Sequence, residues 1–534
     1  MLTRLQVRNF KRFDDIEIEL GNPVAFIGPN NSGKTSAMQA VALWDIGAKR
    51  WAERLATGSS RQRQRGIAIN RRDLFALPVP RSRLLWRSMQ VRDSQVVAGK
   101  QRTENVRIEI VVEGITDGKS WECGLEFDYA NEESFYCRPL RVGHSSNSDR
   151  MQFPEVAAKE KIAFLPPMSG LAANETRLDQ GAVNVRVGEG RTAEVLRNLC
   201  YRLYEEQRSD WEKLIDHVTQ LFGVDLASPR YIVERGEIAM NYRENGVELD
   251  LSSSGRGLQQ TMLLLAYMYV NPGAVLLLDE PDAHLEMLRQ RQIYRLITEV
   301  ARESGGQIIA ASHSEVILNE AAGKDSVIAF VGKPHRIDNR ESEVLKSLSE
   351  IGFEHYYQAE LKRWVLYLEG PTDLAVLQAF AKRVCHEKAM RALERPYVVY
   401  VGNQAAKVRS HFHGLKEAIP RLRGIVLFDR FQQAMPDTGQ VDYLMWQRRE
   451  TENYFCSRST LEAYVHASVN ADILGGPIFE EQERRRRSEL MAEAINEAEA
   501  AMNTLGRGSP WHPDAKVSDE FLRPLFQTYF GKLG

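Results

Sequence analysis

Two groups of residues, far apart in the chain, have the types and spacing to handle phosphate. The first opens with Gly28-Pro29-Asn30-Asn31-Ser32-Gly33-Lys34-Thr35, which fits GxxxxGK[ST] and is followed by Ser36. Glycines let backbone N–H groups curl around phosphates, Lys34 can reach the outer phosphates, and Thr35 can hold magnesium. In AVLLLDEPDAHLE an apolar run delivers Asp279 and Glu280 together, the first suited to a magnesium ion and the second to orienting an attacking water. His313, in IIAASHS after the next apolar run, could contact the outer phosphate, although a histidine there also serves as a satisfied core residue. The second group is acidic: Glu369 ends the run VLYLE, Asp373 follows four residues later, Asp429 ends IVLFD, and Glu450 and Glu452 lie in RRETENYF. Carboxylates aimed at one spot suit hard divalent cations, and paired cations can clamp both oxygens of a phosphodiester displacement. The same Glu-to-Asp spacing also makes an ordinary strand–helix corner.

The surrounding pattern supplies elements to position these groups. Residues 1–345 open with the strand pair LTRLQVRNF and FDDIEIEL, then VAFIG and a helix starting near Lys34. An arginine-rich insertion at about 50–95 and a helical insertion at about 190–225 interrupt this block. The polar segment Gly143 to Arg150 reads as a loop. AVLLLDE and QIIAASH are uniformly apolar, as strands buried in parallel sheets are. After a linker at 346–363, strands alternate with helices again through VLYLEG, VVYVG and GIVLFD, so both blocks are expected to be α/β. If RRETENYF is helical, residues two apart diverge by roughly 200°, and only one of Glu450 and Glu452 can face a shared ion.

Composition excludes several classes. The chain of 534 residues is 43% hydrophobic and 27% charged, with net charge -2, so any case for nucleic-acid binding must be local. From Trp51 to Arg92 ten arginines face only Glu53 and Asp73, interleaved with Trp51, Phe75 and Trp86; this is either a phosphate-tracking surface or a solvated insertion. The run Arg484 to Arg487 has the same two readings. The apolar stretch Thr261 to Val270 is far short of the ~20 residues of a membrane span. Five scattered cysteines without CxxC spacing, and an N-terminus without a signal-peptide core, point to a reduced, cytoplasmic protein.

Between the two phosphate-binding elements, LSSSGRGLQQ places Ser254, Gly255 and Gly257 just before a helix. The order of P-loop, serine-glycine signature, DEP and late histidine resembles the ABC-type ATPases of the SMC and Rad50 branch. The resemblance implies that ATP and Mg²⁺ bind at Gly28 and Asn30 through Ser36. It also implies that Ser254, Gly255 and Gly257 act on the nucleotide of a second head, making the protein a homodimer or higher oligomer. Arg256 between the glycines departs from the usual LSGGQ.

The Glu369–Asp373 corner, the Gly402-Asn403 turn and the strand ending in Asp429 resemble the TOPRIM domain. An ATPase followed by TOPRIM is the layout of OLD-family nucleases and related anti-phage proteins of the Gabija, retron-linked and PARIS type. The resemblance implies a Mg²⁺ or Mn²⁺ site at Glu369, Asp373, Asp429 and Glu452, with Lys516 neutralising the scissile phosphate. It implies a nucleic-acid partner, DNA ahead of RNA, and room for a separate defence-system subunit. Where the family reads DRD, this chain has Asp429-Arg430-Phe431, so one ligand is missing. Two readings stay open: a nucleotide-gated endonuclease, or an ATPase sensor whose degenerate TOPRIM site docks a partner.

Overall fold

The computed structural model describes residues 1–57, 66–71, 74, 77, 79–97, 100–142, 149–168, 170–337, 352–430, 441–469 and 477–534. Phe75, Phe431, most of the Gly143–Arg150 segment and the first part of the expected linker lie outside them. The chain divides into two compact units, Met1–Tyr357 and Gln358–Gly534.

The first unit is built on two six-stranded sheets. One has the order Ile162–Leu165, Val275–Asp279, Gln307–Ser312, Val24–Ile27 and Ser326–Ala329, all parallel, with His335–Arg336 antiparallel at its edge. Every residue of Val24–Ile27, Val275–Asp279 and Gln307–Ser312 is buried, which explains their unbroken apolar runs. The other sheet is antiparallel and carries the alternation of half-buried strands, as in Phe13–Glu19, where Phe13, Ile16 and Ile18 are buried and the acids between them are exposed. The helix Lys34–Thr57 lies between the sheets, and one core joins them through Leu5, Phe26, Trp44, Ile110, Phe127 and Leu277. The helical insertion forms Leu196–Glu206 and Arg208–Phe222; Gly223, at φ 69°, closes the second in the left-handed conformation that glycine adopts at little cost.

Among the described residues of the arginine-rich insertion, neither tryptophan lines a surface. Trp51 lies on the first helix and is buried, Trp86 is 1% exposed and in the core, and Arg71, Arg83 and Arg87 pair with Glu133, Glu132 and Asp14. Arg484 to Arg487 likewise pair with Glu480, Glu483 and Glu489 on their own helix, Pro477–Thr504. Such pairs at three- and four-residue spacing are those of a solvated helix face.

The second unit holds a parallel sheet ordered Val398–Tyr400, Trp364–Leu368, Arg423–Phe428, Val441–Met445. Helices Pro371–Arg383, Glu387–Glu394 and Ala405–Ala418 connect its strands. A helical extension follows, with its own core of Leu461, Val465, Met491, Ile495, Phe521, Leu525 and Tyr529.

Candidate nucleotide and metal sites

In the first unit the strand Val24–Ile27 ends in the loop 28–33, and the helix starts at Lys34. Gly33 sits at φ 111°, and a Cβ there would stand 2.8 Å from Arg12 Cδ and 2.9 Å from the Phe13 ring. Both conformation and space therefore demand glycine. Lys34 is 5% exposed and its Nζ donates to Gly28 O at 2.7 Å and Pro29 O at 2.9 Å, so the loop closes around its own cation. Burial lowers its pKa, against the pull of Asp279, Glu280 and Asp282.

Thr35 Oγ1 donates to Asp279 Oδ2 at 2.8 Å, joining the two motifs across 244 residues of sequence. Burial pushes Asp279 up to about 6. Glu280, next in sequence, is lowered by its hydrogen bond with His313, whose Nδ1 is 3.6 Å from Glu280 Oε1; the same contact raises His313. A cavity of about 690 Å³ is lined by Arg12, the loop from Asn30 to Ser36, Asp279 and Glu280. Ser32 Oγ is buried there without a hydrogen-bond partner. A nucleoside triphosphate with a hard divalent ion fits these residues: an orphaned buried hydroxyl, a helix N-terminus, a cation and an oxygen pair face one space.

Sequence spacing did not single out Arg12 or Asp282. Asp282 is buried and accepts from Ser312 Oγ at 2.9 Å, tying the DEP turn to the strand that precedes His313. Its place three residues after Asp279 was the available signal.

The serine-glycine signature lines a different concavity, of about 350 Å³, with Ser254, Gly255, Gly257, His284, Glu286 and Arg289. Gly255 caps the helix Arg256–Val270, Ser254 Oγ donates to Leu251 O at 2.7 Å, and Arg256 points to solvent as an exposed residue. Gln260 Nε2 reaches Glu280 O at 3.5 Å and so links this helix to the acid pair.

In the second unit Glu369 and Asp429 follow neighbouring parallel strands, paired Tyr367 to Val426, and so emerge side by side at one sheet edge. Asn403, at φ 57° in the turn after Val398–Tyr400, donates through Nδ2 to Glu369 Oε2 at 2.5 Å and accepts from Asp429 N at 3.3 Å. Burial, then the charge and hydrogen bond of Glu369, then Asp373 and Glu452, push Asp429 up to about 7. The charge and hydrogen bond of Glu369 thus disfavour the ionised form of Asp429.

Asp373 does not simply join Glu369 at one spot. Its Oδ2 accepts from Gly370 N at 2.9 Å and caps its own helix, while Oδ1 takes Thr451 Oγ1 at 3.5 Å. RRETENYF forms a 3-10 turn, Thr451–Tyr454. Glu450 is its buried N-cap and accepts from Ser518 N at 3.0 Å; Glu452 is raised by burial and by Glu450, Asp373 and Glu369. Lys516 Nζ is 2.9 Å from Asp519, which raises its pKa, with a smaller contribution from the charge of Glu450.

Among the described residues no three His, Cys, Asp or Glu side chains already form a chelating set. Asp429 and Glu452 are nevertheless each raised in part by the charges of Glu369 and Asp373, so the four carboxylates lie near one another. The two observations agree if the acids are neighbours held apart by Asn403 and the Asp373 cap. Their donors, all oxygen, fit a hard divalent ion.

One consequence is measurable without metal. Asp429 holds its proton more tightly folded than unfolded, so its contribution favours folding at pH 5 and is lost as pH rises from about 4 through about 7. Asp429→Asn is therefore expected to be more heat-stable than wild type at pH 8 in EDTA, on the order of 1–2 kcal/mol after screening, with the gap narrowing at pH 5 and closing near pH 4. A gap independent of pH would contradict the raised pKa of Asp429.

Residues 107–319 match the family model described as "AAA domain, putative AbiEii toxin, Type IV TA system", and residues 1–44 match "AAA ATPase domain". The chain is 23% identical over 336 residues to an OLD nuclease of Thermus scotoductus, a match covering 60% of each protein. It thus spans about 60% of that relative's length. Solved structures with some likeness include the SMC head domain from Thermotoga maritima, at 16% identity over 63% of this chain and 99% of that one, TM-score 0.34. The SmcHead bound to the C-winged helix domain of ScpA is 15% identical over 64% of this chain and 98% of that one, TM-score 0.38. Among the described residues no helix is long and apolar enough to cross a membrane. The P-loop, signature and DEP turn set on these two sheets thus lie in a unit that matches AAA ATPase family models, within a chain similar over 60% of its length to a curated OLD nuclease.

Proposed function

We propose that the chain is an ATP-hydrolysing nuclease of OLD type, cytoplasmic and acting in anti-phage defence, in which nucleotide state governs cleavage by a TOPRIM-like second unit. The observation that carries the reading is the placement of Glu369 and Asp429 after neighbouring parallel strands, bridged by Asn403, with the charges of Glu369, Asp373 and Glu452 all acting on Asp429. Like charges gathered at such cost are relieved by a divalent cation, Mg²⁺ or Mn²⁺, which would supply neutralisation of a scissile phosphate. Glu369, Asp429 and Glu452 would hold it, and Asn403 would orient Glu369.

In the first unit, Lys34 and the loop N–H groups bind the phosphates, Thr35 and Asp279 position the ion, and Glu280, kept ionised by His313, orients the attacking water. The signature concavity faces solvent with no nucleotide loop of its own unit in it, which supports a homodimer whose heads complete each other's sites.

A second reading, an ATPase scaffold with a retired nuclease unit, draws support from the Asp373 cap and the absence of a preformed chelating set among the described residues. Incubation of purified protein with plasmid DNA or tRNA, in Mg²⁺ or Mn²⁺ and with or without ATP, separates the two. Cleavage should disappear in Glu369→Ala while ATP turnover persists. ATP turnover without cleavage in every condition would establish the scaffold.

A further inference from the structure

The last helix, Arg523–Leu533, together with the π turn Ser518–Leu522 before it, carries two apolar stripes. Phe521, Leu525 and Tyr529, four residues apart, are buried in the core of the helical extension. Leu522, Phe526 and Phe530 repeat the spacing one residue on, yet Phe530 is 50% exposed. Leu522 and Phe526 are partly buried against the same core, so Phe530 is the ring of the second stripe that stays open. The second forms one wall of a groove of about 600 Å³ whose lining includes Leu522, Phe526 and Phe530, with Arg523 and Gln527 also lining it, and Glu452 of the acid cluster.

Inside the groove the rings of Phe526 and Phe530 are near parallel, 24° apart with centroids 5.9 Å apart, and Tyr464 meets Phe526 edge-on at 5.3 Å. One ring is thus anchored and the other open. Flat apolar walls beside a carboxylate, an amide and a guanidinium match an object with apolar faces, polar edges and an attached anion. A nucleobase on its phosphodiester is such an object; in a duplex its faces are covered by neighbouring bases, and only an unpaired base offers one.

We propose that this groove seats an unpaired nucleobase on Phe530, with Gln527 toward its edge and Arg523 toward the backbone, so that the adjoining phosphodiester lies at the acids. The inference rests on the nuclease reading for the role of those acids, and it makes the preferred substrate a single-stranded or locally unpaired nucleic acid.

Binding of fluorescein-labelled single-stranded DNA, the same sequence as RNA, and the blunt DNA duplex, followed by anisotropy with the full chain in EDTA, tests it without catalysis. Phe530→Ala should weaken binding of the unpaired strands about tenfold and leave the duplex unchanged, and Phe530→Tyr should restore it. Equal affinities for wild type and Phe530→Ala, or an equal loss on the duplex, would overturn the proposal. So would a change of oligomeric state in Phe530→Ala by sedimentation, which would assign the stripe to a second copy. Selective loss in Phe530→Ala without cleavage by any variant would support the groove and overturn the nuclease reading alone.

Discussion

Lys34→Ala is expected to lower ATP turnover by about 100- to 1,000-fold, the usual consequence of removing one preorganised charge from a site where negative charge develops. The ammonium is nearly fully buried and bonded only to main-chain oxygens of its own loop, Gly28 O and Pro29 O. Alanine removes the cation that faces phosphate and the clamp that curves the loop. Thermal stability should change little by comparison, because burial already disfavours the charged amine. Steady-state ATPase rates and melting curves measured side by side make the distinction. Turnover within threefold of wild type would exclude Lys34 from the phosphate site. Lys34→Arg should not rescue, since the guanidinium is broader than the space between two carbonyls 2.7 and 2.9 Å from the amine.

The candidate nucleotide site is legible in the sequence because its parts are local. An apolar run ending in Gly28 has to be a buried strand meeting a turn, and Lys34 and Thr35 then have to open a helix. The meeting of Thr35 with Asp279 follows once both strands enter one parallel sheet, where only Gln307–Ser312 separates them. The acidic site was less legible because its geometry is decided by partners distant in sequence. Glu369 is oriented by Asn403, Asp373 is drawn to Gly370 and Thr451, and Glu450 is turned inward by Ser518. Spacing alone shows two glutamates two residues apart; which one is buried as a cap depends on a backbone N–H in the helical extension. Trp51 and Trp86 misled for a related reason. Arginine flanks suggested exposure, whereas the sheet and first helix close over both rings.

Glu175→Ala is expected to destabilise the first unit by roughly 3–5 kcal/mol, a large share of a domain's stability, because it strands a buried charge network. Glu175 is 3% exposed and accepts from Arg197 N at 2.9 Å, Asn198 N at 2.6 Å and Asn198 Nδ2 at 2.7 Å. It thereby caps the helix Leu196–Glu206, whose own N-cap, Val195, has no side chain able to accept. Arg197, 1% exposed, continues the chain to Ala172 O and to Asp250 Oδ1, each 3.0 Å away. Asp250 in turn accepts from Ser252 N at 2.8 Å and so shapes the turn that leads into Ser254 and Gly255. Removing the carboxylate leaves three buried donors unanswered and an arginine with less compensation, two costs that a methyl group cannot offset. Glu175→Gln keeps one acceptor oxygen and should recover about half of the loss. If the cap also sets the signature, ATP turnover in Glu175→Gln should fall at temperatures where the variant remains fully folded. Chemical denaturation of the first unit and ATPase assays well below its melting transition read the two effects separately. A loss under about 1 kcal/mol in Glu175→Ala would show that water or a neighbouring group replaces the cap.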